Sequence, residues 1–340
     1  MRRTLIEGGT VVTATESCIA DVLVEGERVV ALLDEKMESR EVDETIDASG
    51  RLVFPGSIDA HTHMEIPFGA ATSKDTFETG TQAAAWGGTT TIIDFPIQMK
   101  GDSLIGSFAE TMEKAAGHAA IDFGFHQIVG DVNEQSLKEL ELVLAEGVTS
   151  YKLFTAYPGV YYSTDGEVAR VMQWAAGNGS TILMHAENGA AIDLLRAQAL
   201  ERGDTAPLAH ALTRPAALEG EAAHRVILLA EMTGAPVYIV HISAKQVVEE
   251  IAAARSRGTN AFGETCPQYL YLELAMLDQG FEGAKFVCSP PLRDPSEGHQ
   301  DALWRGLASG DLQVIATDHC PFDFDGQKTL GRNDFTQIPN

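Results

Sequence analysis

Two histidines one residue apart, His61 and His63, close the apolar run Leu52-Val53-Phe54-Pro55-Gly56 in the stretch Ile58-Asp59-Ala60-His61-Thr62-His63. Side chains on a strand alternate with period two, so both imidazoles face one side and could meet one cation. A His-x-His pair alone has an ordinary explanation in packing, and its meaning depends on further ligands downstream. Another short apolar segment carries Lys152, and three more end in His185, His241 and Asp318. Imidazole and carboxylate ligands suit Zn2+ and similar divalent ions, with one position left open to water in catalytic sites. Four histidines, an aspartate and a lysine exceed the needs of one tetrahedral ion, which favours two metals about 3.5–4 Å apart sharing a hydroxide. Lys152 is the odd member. A protonated ammonium beside two dications is strongly disfavoured, so its amine must be neutral or modified. A neutral lysine amine can capture CO2 as a carbamate, an anionic ligand able to bridge two ions.

These residues need a scaffold that brings strand ends together. Residues 52–60, 89–96, 122–129, 150–155, 181–186, 237–242, 261–266 and 312–317 read as eight strands. They alternate with helix-like segments at 75–86, 103–118, 133–146, 165–178, 214–233, 244–257 and 296–308, several followed by a glycine stop at Gly147, Gly179, Gly234 or Gly258. The pattern predicts an α/β fold, a (β/α)8 TIM-type barrel over 55–340, whose chemistry sits at the C-terminal ends of the strands. An open doubly wound sheet is the alternative, but no G-x-G-x-x-G follows a strand and there is no P-loop. Residues 1–54 read as short β-strands separated by Glu7-Gly8-Gly9 and Glu25-Gly26-Glu27, a small all-β module that could bury little alone.

Composition narrows the partners. With 44% hydrophobic and 21% charged residues in a chain of 340, the protein reads as soluble and globular, too long for one small core. No apolar run reaches the roughly 18 residues of a membrane helix, and Met1-Arg2-Arg3 leads into strand-like alternation rather than a signal segment, so a cytoplasmic location is expected. A formal charge of −25 disfavours nucleic acid and gives no reason to expect an anionic membrane as partner. Cys18, Cys266, Cys288 and Cys320 are widely spaced, which argues against a disulfide framework or zinc knuckle and for small buried hydrophobes. Among the other histidines, His118, His210, His224 and His299 read as surface or packing residues and His126 as a core residue. His319 should point away from the metals, alternation placing it opposite Asp318.

Seven motifs together resemble the dihydropyrimidinase/D-hydantoinase family of amidohydrolases. They are Asp59-Ala60-His61-Thr62-His63, Tyr151-Lys152-Leu153-Phe154, His185-Ala186-Glu187-Asn188, His241-Ile242-Ser243, the run from Gly263 to Leu270, Cys288-Ser289-Pro290-Pro291-Leu292-Arg293, and the run from Ala316 to Phe322. The resemblance covers nearly the whole chain, with the motifs in order. It implies a (β/α)8 barrel flanked by a small N-terminal β-sandwich, and a binuclear zinc centre. In that centre His61, His63 and Asp318 hold one ion, His185 and His241 the other, with carboxylated Lys152 and hydroxide bridging them. It further implies Tyr157 as donor to the developing oxyanion, Ser289 and Asn340 as backbone contacts to the cyclic imide, and Asp318 as general base and then general acid. The expected reaction opens the cyclic amide of hydantoins or 5,6-dihydropyrimidines to N-carbamoyl amino acids, as in pyrimidine catabolism.

The relative acting on a carboxylated ring, dihydroorotase, carries an arginine two residues after its His-x-His pair. Here Glu65 stands there, which favours a neutral ring. Met64, Phe68, Phe154, Tyr161 and Tyr162 are candidates for an apolar pocket around a ring substituent. The alternatives are another cyclic amidase, such as allantoinase, or a non-catalytic cytosolic scaffold of the dihydropyrimidinase-related type; the six filled ligand positions argue against the scaffold. Family members continue past the position of Asn340 to complete the sandwich and a tetramer contact, so the expectation is a sandwich incomplete in this chain, with a C-terminal part missing, and a homotetramer at full length.

Overall fold

The computed structural model describes residues 1–33 and 41–340 and divides into two compact units, Met1–Ser57 and Ile58–Asn340. The first unit is a β-sandwich of two small sheets. Strands β1 (Arg3–Glu7), β2 (Thr10–Val12), β3 (Ser17–Ile19), β4 (Asp21–Glu25), β5 (Arg28–Leu33), β6 (Glu44–Asp47) and β7 (Leu52–Val53) pair in the orders β5-β4-β1-β6 and β3-β2-β7. Buried Val11, Ala20 and Val22, backed by Ile6, Val24 and Val53, form its core. Gly26 at φ 63° turns the chain between β4 and β5, a backbone region that glycine enters without steric cost. Cys18, expected to be buried, is exposed because β3 has no buried position; Cys266 is buried and Cys288 and Cys320 partly so.

The second unit is the barrel. Its strands are β8 (Ser57–Thr62), β11 (Thr89–Asp94), a third strand in two pieces, β12 (Asp122–Phe125) and β13 (Gln127–Ile128), then β14 (Ser150–Phe154), β15 (Thr181–His185), β16 (Val237–Ile239), β17 (Ala261–Thr265) and β18 (Val314–Ile315). A short hairpin, β9 (Pro67–Phe68) and β10 (Ala71–Thr72), follows β8. From β13 to β18 each strand pairs in parallel with the next. The ring closes where Thr62 bridges His319 and the His63 amide donates to the His319 carbonyl at 2.8 Å. Beside that seam the Asp59 carboxylate accepts from the Thr317 amide at 3.0 Å and its hydroxyl at 2.5 Å.

One strand differs from the sequence reading. The segment 52–60 is two strands: Leu52 and Val53 pair with Thr10 and Val11 in the sandwich, and the barrel strand begins at Ser57. Pro55 has no amide hydrogen to give a ladder and Gly56 is a poor strand residue, so the break falls on Phe54, Pro55 and Gly56. The helices mostly start a residue or two later than periodicity suggests, because Thr76, Ser103 and Asn133 stay outside as caps whose side chains accept from amides of the first turn. Gly179 and Gly234 close theirs at φ 79° and 77°. A helix at Gly189–Glu201 has no counterpart in the reading; it buries only Gly189, Ile192 and Ala199, too little for an apolar stripe. Among the described residues no helix is long and apolar enough to cross a membrane.

Strand alternation sorts the barrel into two cores. Tyr151, Leu153, Ile182 and Met184 face outward into the layer shared with the helices. Phe95, Ile128, Phe154, Leu183 and Val240 form a separate interior cluster. Lys152 and His185 share the parity of the interior set, so the same pleat that packs the helices delivers them to the barrel axis.

Candidate active site

At the C-terminal ends of the strands, His61 Nε2, His63 Nε2 and Asp318 Oδ1 come together, each pair separated by 3.2 Å. The three atoms form a group able to hold one cation. His61 and His63 are both buried, and Lys152 Nζ sits 2.9 Å from His61 Nε2. The rings of His185 and His241 stack edge-on with centroids 4.5 Å apart, and His241 lies 5.5 Å from His61. All six ligand candidates from the sequence therefore converge on one place.

The fit to cations rests on the lone pairs. His61 Nδ1 lies 2.5 Å from a carboxylate oxygen of Glu264 across the barrel, so its proton is held there and Nε2 is left as the free donor atom. His185 Nε2 lies 2.8 Å from Glu187 Oε2, which leaves its Nδ1 for an ion. The Nδ1 atoms of His63 and His241 are buried without any hydrogen-bond partner among the described residues. Buried polar atoms are rarely orphaned, and the nitrogens left unspent on His61, His185 and His241 are what a metal pair would complete, with His63 offering Nε2.

Lys152 is about 2% exposed, has no carboxylate within salt-bridge distance among the described residues, and lies over the Phe95 ring at 4.5 Å. Burial pushes its amine below the ordinary lysine value, against the pull of Asp318 and Glu264. Asp318 goes the other way. Burial alone would raise its carboxyl, but the neighbouring His61 and the hydrogen bond of His63 hold it well below the usual range. Tyr157 lies at the cleft mouth with its ring 5.2 Å from His185, and burial raises its hydroxyl so that it stays a proton donor.

A cleft of about 780 Å3, counting the part open to solvent, runs from these groups outward. Tyr157, Ser289 and Asn340 line it together with His63, Lys152, His185, His241 and Asp318. Phe68, Phe154 and Tyr161 supply apolar wall, whereas Met64 and Tyr162, expected there, do not line it: Met64 is buried in the outer core and Tyr162 pairs alongside Phe154. Glu65 is also outside the cleft, its carboxylate facing the amide of Phe77 at a helix start.

Backbone conformation marks the same place. Among the described residues four non-glycine residues hold positive φ, namely Glu65, Tyr157, His241 and Asp318, at 54°, 59°, 41° and 55°. Such conformations cost on the order of 1 kcal/mol or more each and persist where surrounding structure fixes them, typically at functional sites.

The sequence reading passed over three carboxylates. Glu264, next to last in β17, accepts from His61, the His241 amide and the Tyr238 hydroxyl. Glu187 carries no role in the sequence reading although it stands two residues after His185 on the same side; burial opposes its ionisation, but the His185 bond and the charges of Arg214 and Arg293 hold it low. Asp94, at the end of β11, accepts from the Thr62 hydroxyl and the Met64 amide at 2.9 Å each, fixing the turn that carries His63. The strand-end rule applied to Glu264 and Asp94 would have found both. His210, read as surface or packing, is buried; His118 and His224 are exposed; and His319 points away to Asp75 at 2.7 Å, as alternation requires.

Known proteins support this geometry. The amidohydrolase-family profile matches residues 52–337. The chain is 58% identical over 342 residues to a D-hydantoinase of Streptomyces coelicolor, covering 99% of this chain and 73% of that protein. Against a D-hydantoinase of Geobacillus stearothermophilus identity is 49%, over 99% of this chain and 71% of the relative. The crystal structure of a dihydropyrimidinase from Brevibacillus agri superposes with a TM-score of 0.96 at 48% identity, covering 99% of this chain and 73% of that one. The chain belongs to the amidohydrolase family, in its dihydropyrimidinase/D-hydantoinase branch.

Proposed function

We propose that the chain hydrolyses the ring amide of neutral cyclic ureides, hydantoins or 5,6-dihydropyrimidines, to N-carbamoyl amino acids. The observation that carries this reading is the convergence of His61, His63 and Asp318 with a buried, uncompensated Lys152 at the floor of a cleft whose wall holds Tyr157, Ser289 and Asn340. His61, His63 and Asp318 would hold one divalent cation and His185 and His241 a second, with Lys152 as a carbamate between them; Zn2+ suits the imidazole and carboxylate set. When bound, the ions supply Lewis-acid polarisation of the ring carbonyl and a hydroxide nucleophile near neutral pH.

The chain's own groups do the rest. Asp318, ionised at neutral pH by its histidine neighbours, takes the proton of the attacking water and returns it to the departing ring nitrogen. Tyr157 keeps its proton and donates to the oxyanion that forms at the carbonyl, where a fixed donor is most effective. Ser289 and Asn340 orient the ring through backbone groups, and Phe68, Phe154 and Tyr161 exclude water around a ring substituent.

The cleft favours an uncharged ring. Among the described residues no arginine lines it, and the two lysines that do are both engaged, Lys152 at His61 and Lys328 at two backbone carbonyls. Among the described residues a ring carboxylate would find no free side-chain cation there. The scaffold reading is disfavoured by the complete set of ligand types. A cytoplasmic homotetramer is the assembly expected for this branch, checked by size-exclusion chromatography with light scattering.

The test is turnover by zinc-supplied protein of a panel comprising 5-phenylhydantoin, hydantoin, dihydrouracil, allantoin and dihydroorotate. Ring opening of the hydantoins or dihydrouracil, with dihydroorotate untouched, is the expected result. Full metal occupancy without turnover of any ring would refute the proposal.

A further inference from the structure

One wall of the cleft has lopsided hydrogen bonding. Lys328 Nζ donates to the Val287 carbonyl at 3.1 Å and the Pro339 carbonyl at 2.6 Å. His210 Nε2 lies 3.0 Å from the Cys288 carbonyl. The Tyr269 hydroxyl donates to the Pro290 carbonyl at 2.8 Å. Side chains from three distant parts of the chain thus occupy the carbonyls on both sides of Ser289. Ser289 itself is 8% exposed, and among the described residues its backbone N–H and C=O take no partner. Buried backbone groups almost always find one, so this donor and acceptor, side by side at a cleft wall, are left for something that enters the cleft. A ring amide presents the complementary acceptor and donor.

The pinning residues are themselves fixed. Arg214 Nη1 points at His210 Nδ1 from 3.2 Å, so Nδ1 accepts and the proton of the neutral ring stays on Nε2, where it can meet Cys288. Lys328 is 7% exposed and joins the segment carrying Ser289 to the segment carrying Asn340, whose buried Oδ1 is also unpartnered. An ammonium buried against neutral carbonyls is costly, and burial pulls its pKa down to about 8. A methionine of similar length would remove that cost but strand the Val287 and Pro339 carbonyls, whose only partner among the described residues is Nζ. The lysine therefore sets the positions of two carbonyls rather than simply filling space.

We propose that Lys328, with His210 and Tyr269, is a positioning residue that holds the Val287–Pro290 and Pro339–Asn340 segments at the spacing at which Ser289 and Asn340 grip the substrate's ring amide. The inference rests on the ring-opening function proposed above. It predicts an unusual pairing of effects: Lys328→Met keeps the metal content and moves the melting temperature only modestly, the relieved burial of the ammonium offsetting the two stranded carbonyls, while KM for a neutral cyclic ureide rises about tenfold and kcat stays within about threefold, the signature of lost uniform binding. Calorimetric affinity for succinimide, a cyclic imide, should fall by the same factor as KM rises.

Tyr269→Phe, which removes one hydroxyl and little packing, should raise KM about threefold to fivefold and decides the matter if Lys328→Met does not fold. Wild-type KM and succinimide affinity in a folded Lys328→Met, or in Tyr269→Phe where the first variant fails, would overturn the assignment. So would a fall in kcat and melting temperature with KM unmoved, which is what a purely structural residue gives. If the wild-type protein opens no cyclic ureide, the function itself fails and this role with it; if the wild type is active and the variants behave like it, only the positioning role fails.

Discussion

Replacing Glu264 with glutamine should weaken cation binding without unfolding the barrel. One carboxylate oxygen of Glu264 accepts from His61 Nδ1 at 2.5 Å and from the His241 amide at 3.0 Å; the other accepts from the Tyr238 hydroxyl at 2.8 Å. Glutamine has the same shape. Its carbonyl can keep the first two bonds, and its amide can face Tyr238, whose hydroxyl turns from donor to acceptor. Three hydrogen bonds before and three after leave only the lost charge assistance, about 1 kcal/mol of folding stability. The cation should feel more, because a neutral acceptor behind Nδ1–H makes Nε2 less basic: losses at such outer positions run to about 10–100-fold in metal affinity, or roughly 1.4–2.7 kcal/mol. Chelator competition on metal-stripped protein reads the affinity, and a urea midpoint reads the fold. Affinity within twofold of wild type, in a folded Glu264→Gln protein, would show that the carboxylate does not tune His61. Glu264→Ala is the wrong experiment, since three stranded donors at about 1–3 kcal/mol each approach the whole stability of a domain.

Lys152→Ala should lose most of the bound metal and the activity, and a short carboxylate such as propionate should restore part of both; metal analysis beside the assay checks it, and full activity in the variant would reject the carbamate. Arg293 donates to Glu219 at 2.7 Å and to Ser243 at 3.0 Å with both charges buried, so Arg293→Met should cost about 3–5 kcal/mol in chemical denaturation by stranding the carboxylate, while the double change with Glu219→Leu should recover much of it. Burial holds His126 down to about 4 from 6.5, its Nε2 bonded to the Ala60 carbonyl at 3.2 Å. The unfolded chain then binds the extra proton first, so this group's stability is fully present above pH 6.5 and is lost as pH falls toward 4, by up to about 3 kcal/mol. Denaturant midpoints at pH 7.5 and 5 should therefore differ less in His126→Gln than in wild type, and equal slopes would rule His126 out as the source.

The ligand positions were legible because a barrel strand converts a local rule into a global one. A residue of interior parity on a barrel strand, or just past its C-terminal end, arrives near the mouth whatever lies between, and Lys152, His185 and Asp318 needed nothing more. Glu264 obeyed the same rule and carried no role in the reading, because a glutamate at a strand end does not announce that its partner is His61, 203 residues earlier. His210 and Lys328 were harder still. Their partners are backbone carbonyls of a turn, and a carbonyl leaves no mark on residue type. The split of 52–60 was written in Pro55-Gly56, but apolar continuity outweighed it. The helix at Gly189–Glu201 lay outside the reach of periodicity, since small residues pack without drawing a stripe.

Asp59 opens the motif that ends in His61 and His63, yet it binds nothing in the cleft. Its carboxylate reaches the amide and hydroxyl of Thr317, one residue before Asp318, at the point where the last strand meets the first. Strand β18 is only two residues long, so ordinary ladder bonds are scarce at this seam and a side chain takes their place. One of the three residues of the Asp-x-His-x-His signature is thus a latch. For anyone recombining barrels, this sets a rule of inheritance: a donor segment bearing the eighth strand, grafted without an aspartate at position 59 of the host, would bring Asp318 but lose the fastening that keeps it in register with His61 and His63.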